Sequence, residues 1–476
     1  WLRGQVAGTA AGGGPGRGSA RPTATAQTAV APAAIASRRR RTPPRIPPPP
    51  ARSTTVPGAA SIPSRARAAA GPAAPPLDFA AMSSEAPAPF ADLRVVDFSQ
   101  VLAGPYTGRL LAELGADVIK VEAPGGDLSR RIAPRRDRGQ SGLYTWANLG
   151  KRGVSLDLTR PEGRAVALDL VRASHLVLEN FRPGVADRLG IGWESVHEAN
   201  PRAVLVSVSG FGSDSSLREQ GAFAPSMHAA TGLIEYQARK SGHPMVNLPD
   251  ARADLTTALH AAVGALAALR VAERTGQGQH LEIAMYDAVL ATFPETPFEL
   301  LDPPELREEP PPYDAGPNGH VVVAGPPQFV WAALSRAFGL EDPAPPGADV
   351  PTKARLRHAA LEAWMAAQPG RDALLRRLEA ARVACAPVVS LRDALTGPFA
   401  RERELLMAVD DRRGGTRPVV RLPYRFTTSP VGPARPAPRR GEHNAEILRE
   451  VLGYDADRIG ALQAAGVLAS EAGGTS

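Results

Sequence analysis

The stretch from Leu93 to Pro124 constrains this chain most. Leu93–Phe98 is an apolar run of strand length. Ala103-Gly104-Pro105 then turns the chain, with Pro105 suited to a first helical turn. Leu110, Leu111 and Leu114 follow at helical spacing, Gly115 stops the helix, and Val118–Val121 reads as a second strand. Strand, helix and strand in about thirty residues make one right-handed βαβ unit, which belongs in a parallel sheet. The turn lacks G-x-G-x-x-G, which argues against a dinucleotide-dependent dehydrogenase.

The alternation continues. Gly153–Leu158, Leu176–Glu179, Ala203–Ser209 and Leu281–Ala284 read as strands, and Pro161–Ala173 and Leu255–Arg274 as helices. The predicted fold class is α/β, with a mainly parallel sheet over 92–290. Residues 291–318 are rich in Pro and Glu and read as a linker. A smaller domain is expected over 319–395, with a strand at His320–Ala324 and helices at Phe329–Phe338, Lys353–Ala367 and Arg371–Ala381. Within 396–476, Val419–Phe426 reads as β-rich and Glu442–Ala465 as a closing helical segment.

The formal charge of +7 comes from the amino-terminal end. Residues 1–77 hold eleven Arg and no acidic residue, whereas from Met82 onward 44 basic residues face 47 acidic ones. The folded part therefore gives no argument from composition for a nucleic-acid partner. Residues 1–91 read as a disordered Ala/Pro/Arg-rich extension, too poor in apolar periodicity to offset its ordering entropy. The expectation is that residues 1–81 are upstream sequence carried into the reading frame and that Met82 is the start. A transit peptide and a basic tail are the alternatives. No run of eighteen apolar residues occurs, so no membrane span is predicted. The lone cysteine, Cys385, excludes an intrachain disulfide and any ordinary Cys-based zinc site; its apolar surroundings predict a core position. No metal site is predicted.

Further blocks follow in order: Gly125-Gly126-Asp127-Leu128-Ser129-Arg130, Asn148-Leu149-Gly150-Lys151-Arg152, Glu179-Asn180-Phe181-Arg182-Pro183-Gly184, Asp187-Arg188-Leu189-Gly190 and Arg274-Thr275-Gly276-Gln277-Gly278-Gln279. With the opening βαβ unit they resemble the family III CoA-transferases, also called the CaiB/BaiF family, over about 92–468. The resemblance implies a large Rossmann-like domain built from both chain ends, with 396–476 returning to it. It also implies a small central α+β domain and an interlocked homodimer. The implied protein is a cytoplasmic enzyme without a prosthetic group, taking an acyl-CoA donor and a free carboxylate acceptor.

Asp254 stands immediately before the apolar stretch Leu255–Leu269. On the residues alone it is a helix N-cap, the usual role of an aspartate there. The resemblance implies a different role, because the family's nucleophilic aspartate has the same spacing to Ala268-Leu269 and Thr275-Gly276. Asp250, four residues earlier, is the competitor, and spacing favours Asp254. Moving CoA between two acids without water needs a covalent relay on a carboxylate. The resemblance also implies a CoA site at Val101, Leu156, Thr159, Asn180, Phe181, Arg182, Arg188 and Leu189. Arg182 and Arg188 have the charge to meet phosphates, and Val101 and Leu156 the apolar surface to flank the adenine.

Many relatives carry an aromatic-plus-acid or His-Asp pair just before the position of Thr231-Gly232. Here Gly221-Ala222-Phe223-Ala224-Pro225 stands there, so Ala224 replaces the acid. Racemases of the family use a histidine there as a second base. None stands at Ala222, Phe223 or Ala224, and His228 is out of register. Residues 291–318 also lack the glycine-rich run that shields the intermediate in some relatives. A racemase-like isomerase and an acyl-CoA-binding protein without catalysis are the alternatives to a transferase.

Overall fold

The structure is a computed structural model that describes residues 86–132, 140–303, 311–412 and 414–471. The expectations for residues 1–81 and for Met82 lie outside the described residues. Packing begins before Asp92: the Phe90 N–H donates to Leu114 O at 3.0 Å. Ala88 lies where a Cβ on Gly115 (φ +104°) would otherwise be.

β1 (Arg94–Asp97), α1 (Ala103–Glu113) and β2 (Asp117–Glu122) form the expected βαβ unit. Next come α2 (Gly142–Ala147), β3 (Arg152–Ser155), α3 (Pro161–Arg172), β4 (Leu176–Glu179), α4 (Val185–Arg188), α5 (Trp193–Ala199) and β5 (Val204–Ser209). They are followed by α6 (Ala224–Ala230), α7 (Leu233–Ser241), α8 (Arg252–Thr275), β6 (His280–Ala284), α9 (Met285–Ala291) and α10 (Thr296–Glu299). The six strands run parallel in the order β3-β2-β1-β4-β5-β6. Both faces are covered, which is why Val95-Val96, Val118-Ile119, Leu176–Leu178 and Val204–Val206 are continuous buried runs rather than alternating ones. Chain order reverses between β1 and β4, the switch point at which sheets of this type bind ligands beyond their strand ends.

Helix α8 is long and apolar enough to cross a membrane by length and composition alone. Here it packs against α1, α9, β5 and β6. Ala258, Ala261, Ala265, Ala268 and Ala272 form its buried seam, small enough for close approach, while Leu259, Val263 and Val271 are exposed. Thr107 Oγ1 donates to Ala258 O at 3.3 Å, tying α1 to α8.

A separate antiparallel sheet combines β7 (Tyr313–Asp314), β8 (His320–Val323) and β9 (Cys385–Pro387). Between β8 and β9 run α11 (Pro327–Phe338), α12 (Val350–Ala366) and α13 (Arg371–Ala380). Their core holds Trp331, Leu334, Leu361, Met365, Leu374 and Leu378. This layer begins inside the predicted linker 291–318, because Tyr313 is buried in its core; the same stretch also contains α10. Cys385 is half-buried on the edge strand β9 rather than fully in the core.

The remaining elements are α14 (Leu391–Thr396), α15 (Pro398–Glu402), the hairpin β10 (Leu406–Asp410) and β11 (Thr416–Val420), α16 (Asn444–Glu450) and α17 (Ala456–Ala464). The last hairpin strand stops at Val420, short of the expected Phe426, and Pro423 just beyond has no N–H to extend the ladder. The predicted helical segment Glu442–Ala465 is two helices. Gly453 (φ +68°) ends the first turn of chain after α16, and Asp455 N-caps α17 by accepting from Arg458 N–H at 2.8 Å. This C-terminal segment covers the edge of β3. His443 Nδ1 accepts from Gly153 N–H at 3.0 Å, Asn444 Oδ1 accepts from Ser155 N–H at 2.9 Å, and Leu156 bridges Leu468.

Candidate active site

The strand ends at the switch point carry charges that the apolar runs before them bury. Lys151 Nζ donates to Asp97 Oδ2 at 2.8 Å, Pro105 O at 2.7 Å and Asn148 Oδ1 at 2.8 Å. All three ammonium hydrogens are thereby used. Lys120 pairs with Asp127 at 3.1 Å and donates to Ser99 O. Burial alone would raise the Asp97 carboxyl, but Lys151 and Lys120 hold it below its usual range. Burial pulls the Lys151 ammonium down to about 8, with Asp97 resisting. The block Gly125–Arg130 belongs to the same scaffold. Asp127 Oδ1 accepts from Val101 N–H at 3.1 Å and Ser129 N–H at 2.8 Å, and Arg130 forks onto Glu122.

This network fixes the loop between β1 and α1. Asn180 clamps Gln100 with two hydrogen bonds, and Val101 is held at φ +67°, an uncommon conformation for a β-branched residue. Gly104 is required by close approach: a Cβ there would lie 2.2 Å from Ser99 Cβ. Of the expected CoA positions, Val101, Asn180, Phe181 and Arg182 lie at the ends of β1 and β4, and Arg188 and Leu189 close α4. Arg188 is exposed and Arg182 half-buried, and among the described residues neither forms a salt bridge. Thr159 is exposed beyond β3, its hydroxyl donating to Asp157 Oδ1 at 2.6 Å. Leu156 follows β3 directly and its side chain is 0% exposed.

Asp254 is not an N-cap. Helix α8 begins at Arg252, so Asp254 lies inside the first turn, and the capping position falls to Ala251, which makes no side-chain cap. Its carboxylate instead meets the starts of two other helices. The N–H groups of Ala103, Asp254 itself and Ala224 stabilise the ionised form, yet burial outweighs them and raises the carboxyl to about 6. Ala103 and Ala224 open α1 and α6; α1 has no side-chain cap bond, and in α6 the Ser226 hydroxyl accepts the Phe223 N–H at 3.0 Å, which leaves the Ala224 amide for Asp254. Ala224 thus contributes a backbone amide at the position where the resemblance led us to expect an acid. The competitor Asp250 is exposed, 3.7 Å from Arg252.

A carboxylate stabilised by backbone donors near a switch point has the chemistry that acyl transfer asks of a nucleophile, and amides so placed are the kind of donor that an oxyanion needs. Residues 90–444 match the model of CoA-transferase family III. The chain belongs to this family. It is 34% identical to the succinyl-CoA:mesaconate CoA-transferase of Haloarcula hispanica over 391 residues, 77% of this chain and 98% of that protein. It is 31% identical to the formyl-CoA:oxalate CoA-transferase of Streptomyces avermitilis over 79% of this chain and 98% of the relative. A CaiB/BaiF family structure from Brucella suis superposes with a TM-score of 0.64 at 28% identity, covering 75% of this chain and 98% of that one. The relatives' names identify CoA transfer as the family's chemistry, with CoA thioesters as substrates.

Around the family's motifs, the structure adds groups that sequence reasoning missed. Charges set among apolar strand residues, Asp97 at the end of β1 and Lys120 inside β2, were a signal for the buried network. Glu179 closes β4 in the same way. Burial raises it to about 7, and its Oε2 accepts the Phe181 N–H at 2.7 Å, bracing the loop that holds Arg182. Among the described residues, no cluster of metal-ligating side chains occurs.

Proposed function

We propose that this protein transfers CoA from an acyl-CoA to a free carboxylic acid through a covalent intermediate on Asp254. The observation that carries this reading is the Asp254 carboxylate itself, half-buried, raised to about 6 and stabilised by the amides of Ala103 and Ala224. A carboxylate with that affinity for a proton is ionised at neutral pH and is a stronger nucleophile than an ordinary aspartate.

The carboxylate attacks the donor thioester carbonyl; a C–O bond forms, the C–S bond breaks, and CoA thiolate leaves a mixed anhydride. The thiolate attacks the aspartyl carbonyl, giving an aspartyl-CoA thioester and releasing the donor acid. The acceptor carboxylate then displaces CoA from the aspartyl group, and the thiolate attacks the acceptor's carbonyl in the new anhydride. Acyl-CoA product leaves, Asp254 is restored, and no net proton is consumed. Arg182 and Arg188 are assigned to CoA phosphates, where unpaired guanidinium groups suit them.

Small dicarboxylic acids are the substrate class to test first, since succinyl-CoA, mesaconate and oxalate appear in the relatives' names. A second copy of the chain is the proposed cover for the exposed Leu259, Val263 and Val271 face of α8. A cytoplasmic location belongs to the same proposal, and a chain with one cysteine has no need of an oxidising compartment to form an intrachain disulfide.

The test incubates the full chain with succinyl-CoA and a panel of acyl-CoAs, traps with hydroxylamine and maps the modified peptide by mass spectrometry. A label on Asp254 is expected. Absence of label with every donor, alongside thermal stabilisation by CoA, would replace this reading with that of a binding protein.

A further inference from the structure

The first turn of α8 needs a partner that its own sequence does not provide. Its capping residue, Ala251, makes no side-chain cap bond, and the next-but-one amide, that of Ala253, is fully buried. A buried amide without an acceptor is costly. The acceptor comes from α6: His228 Nε2 takes the Ala253 N–H at 3.1 Å. An accepting Nε2 carries no proton, so the ring is neutral with its hydrogen on Nδ1. Burial favours that state by lowering the ring's proton affinity; Asp250 opposes and Arg252 reinforces the effect.

Helix α6 therefore touches the start of α8 twice, one turn apart. At Ala224 its backbone N–H helps to stabilise the ionised Asp254 carboxylate, and four residues later the His228 ring accepts, at 3.1 Å, the amide N–H immediately before Asp254. We propose that His228 is a positioning residue for Asp254. With the ring in place, the Ala253 amide is occupied, and the carboxylate stays directed at Ala103 and Ala224. With the ring gone, the freed amide competes for the carboxylate and turns it back onto its own helix. This proposal rests on the transferase reading only for its catalytic consequence.

The experiment compares full-length wild type, His228→Ala and His228→Gln, whose amide oxygen is also an acceptor. Hydrogen exchange is followed by mass spectrometry across residues 251–258, and turnover is measured with the acyl-CoA that labels the wild type. Exchange there is expected to be about tenfold faster in His228→Ala, with kcat about ten- to a hundredfold lower and KM little changed. His228→Gln recovers most of both. Unchanged exchange in His228→Ala, or a glutamine as damaging as the alanine, would overturn the proposal. Exchange is read without substrate. A wild type that no acyl-CoA labels would thus defeat the proposed function while the exchange result still decides the role of His228.

Discussion

Asn180 holds Gln100 by both of its backbone polar groups. Its Oδ1 accepts the Gln100 N–H at 2.6 Å, and its Nδ2 donates to Gln100 O at 2.7 Å. The loop from β1 is thereby fastened to the end of β4, next to Val101. Asn180→Ala removes both bonds at a cost of about 1–3 kcal/mol to the local conformation. The expected outcome is an acyl-CoA KM raised about tenfold, with Asn180→Asp intermediate because the acceptor survives. Steady-state kinetics across the three proteins check this.

Asp254 makes a prediction about pH. Its carboxyl is raised to about 6 in the fold, above its usual value of 3.8. Turnover is therefore expected to rise as pH passes about 6 and then to level off. Stability runs the other way. The fold prefers the protonated form, so between the unfolded and folded values the unfolded chain releases the proton first, and the wild type loses stability as pH rises. The melting temperature of wild type minus that of Asp254→Asn is expected to fall between pH 4 and pH 8. A difference that stays flat would mean that Asp254 is an ordinary carboxylate.

Gly104 has no space for a methyl group, because Ser99 occupies it. Gly104→Ala pushes the start of α1, and with it the Ala103 amide, away from Asp254. Overpacking of this kind costs about 1–3 kcal/mol. Adding Ser99→Gly, which removes the clashing atoms, is expected to restore part of the melting temperature and of the Asp254 label. Additive losses would refute the steric account.

Lys151 and Asp97 are wholly buried together. Lys151→Met leaves the Asp97 carboxylate without its closest cation, and losses of about 3–5 kcal/mol are typical of such changes. Coupling with Asp97→Asn is expected to recover stability, measured by denaturant unfolding. A single change that costs nothing would show that the pair is dispensable to the scaffold.

The parallel sheet was legible because strands buried on both faces write themselves as unbroken apolar runs, as in Leu176–Leu178. The spacing of Asp254 to the downstream turn drew attention to it but could not tell a cap from any other role. The structure removes the capping role, because α8 begins at Arg252, and the Ala103 and Ala224 N–H groups near its carboxylate are backbone amides, which leave no mark on the identity of a residue. His228 meets α8 only through tertiary packing, so its distance along the chain hid its role. Leu156 shows a different limit: an apolar residue at a strand end reads the same for a ligand pocket and a core, and only the fold shows that its side chain is buried.

The edge of β3 is finished by residues far along the chain: Gly153 and His443 are 290 positions apart. During synthesis, Gly153 and Ser155 leave the ribosome long before their hydrogen-bonding partners exist. For all that time the nascent sheet ends in an open strand, a template for pairing with a neighbouring chain. A translation product that stops before His443 keeps that edge permanently open. Loss of the last part of the chain is therefore felt at a strand made 290 residues earlier, as an exposed sheet edge prone to aggregation.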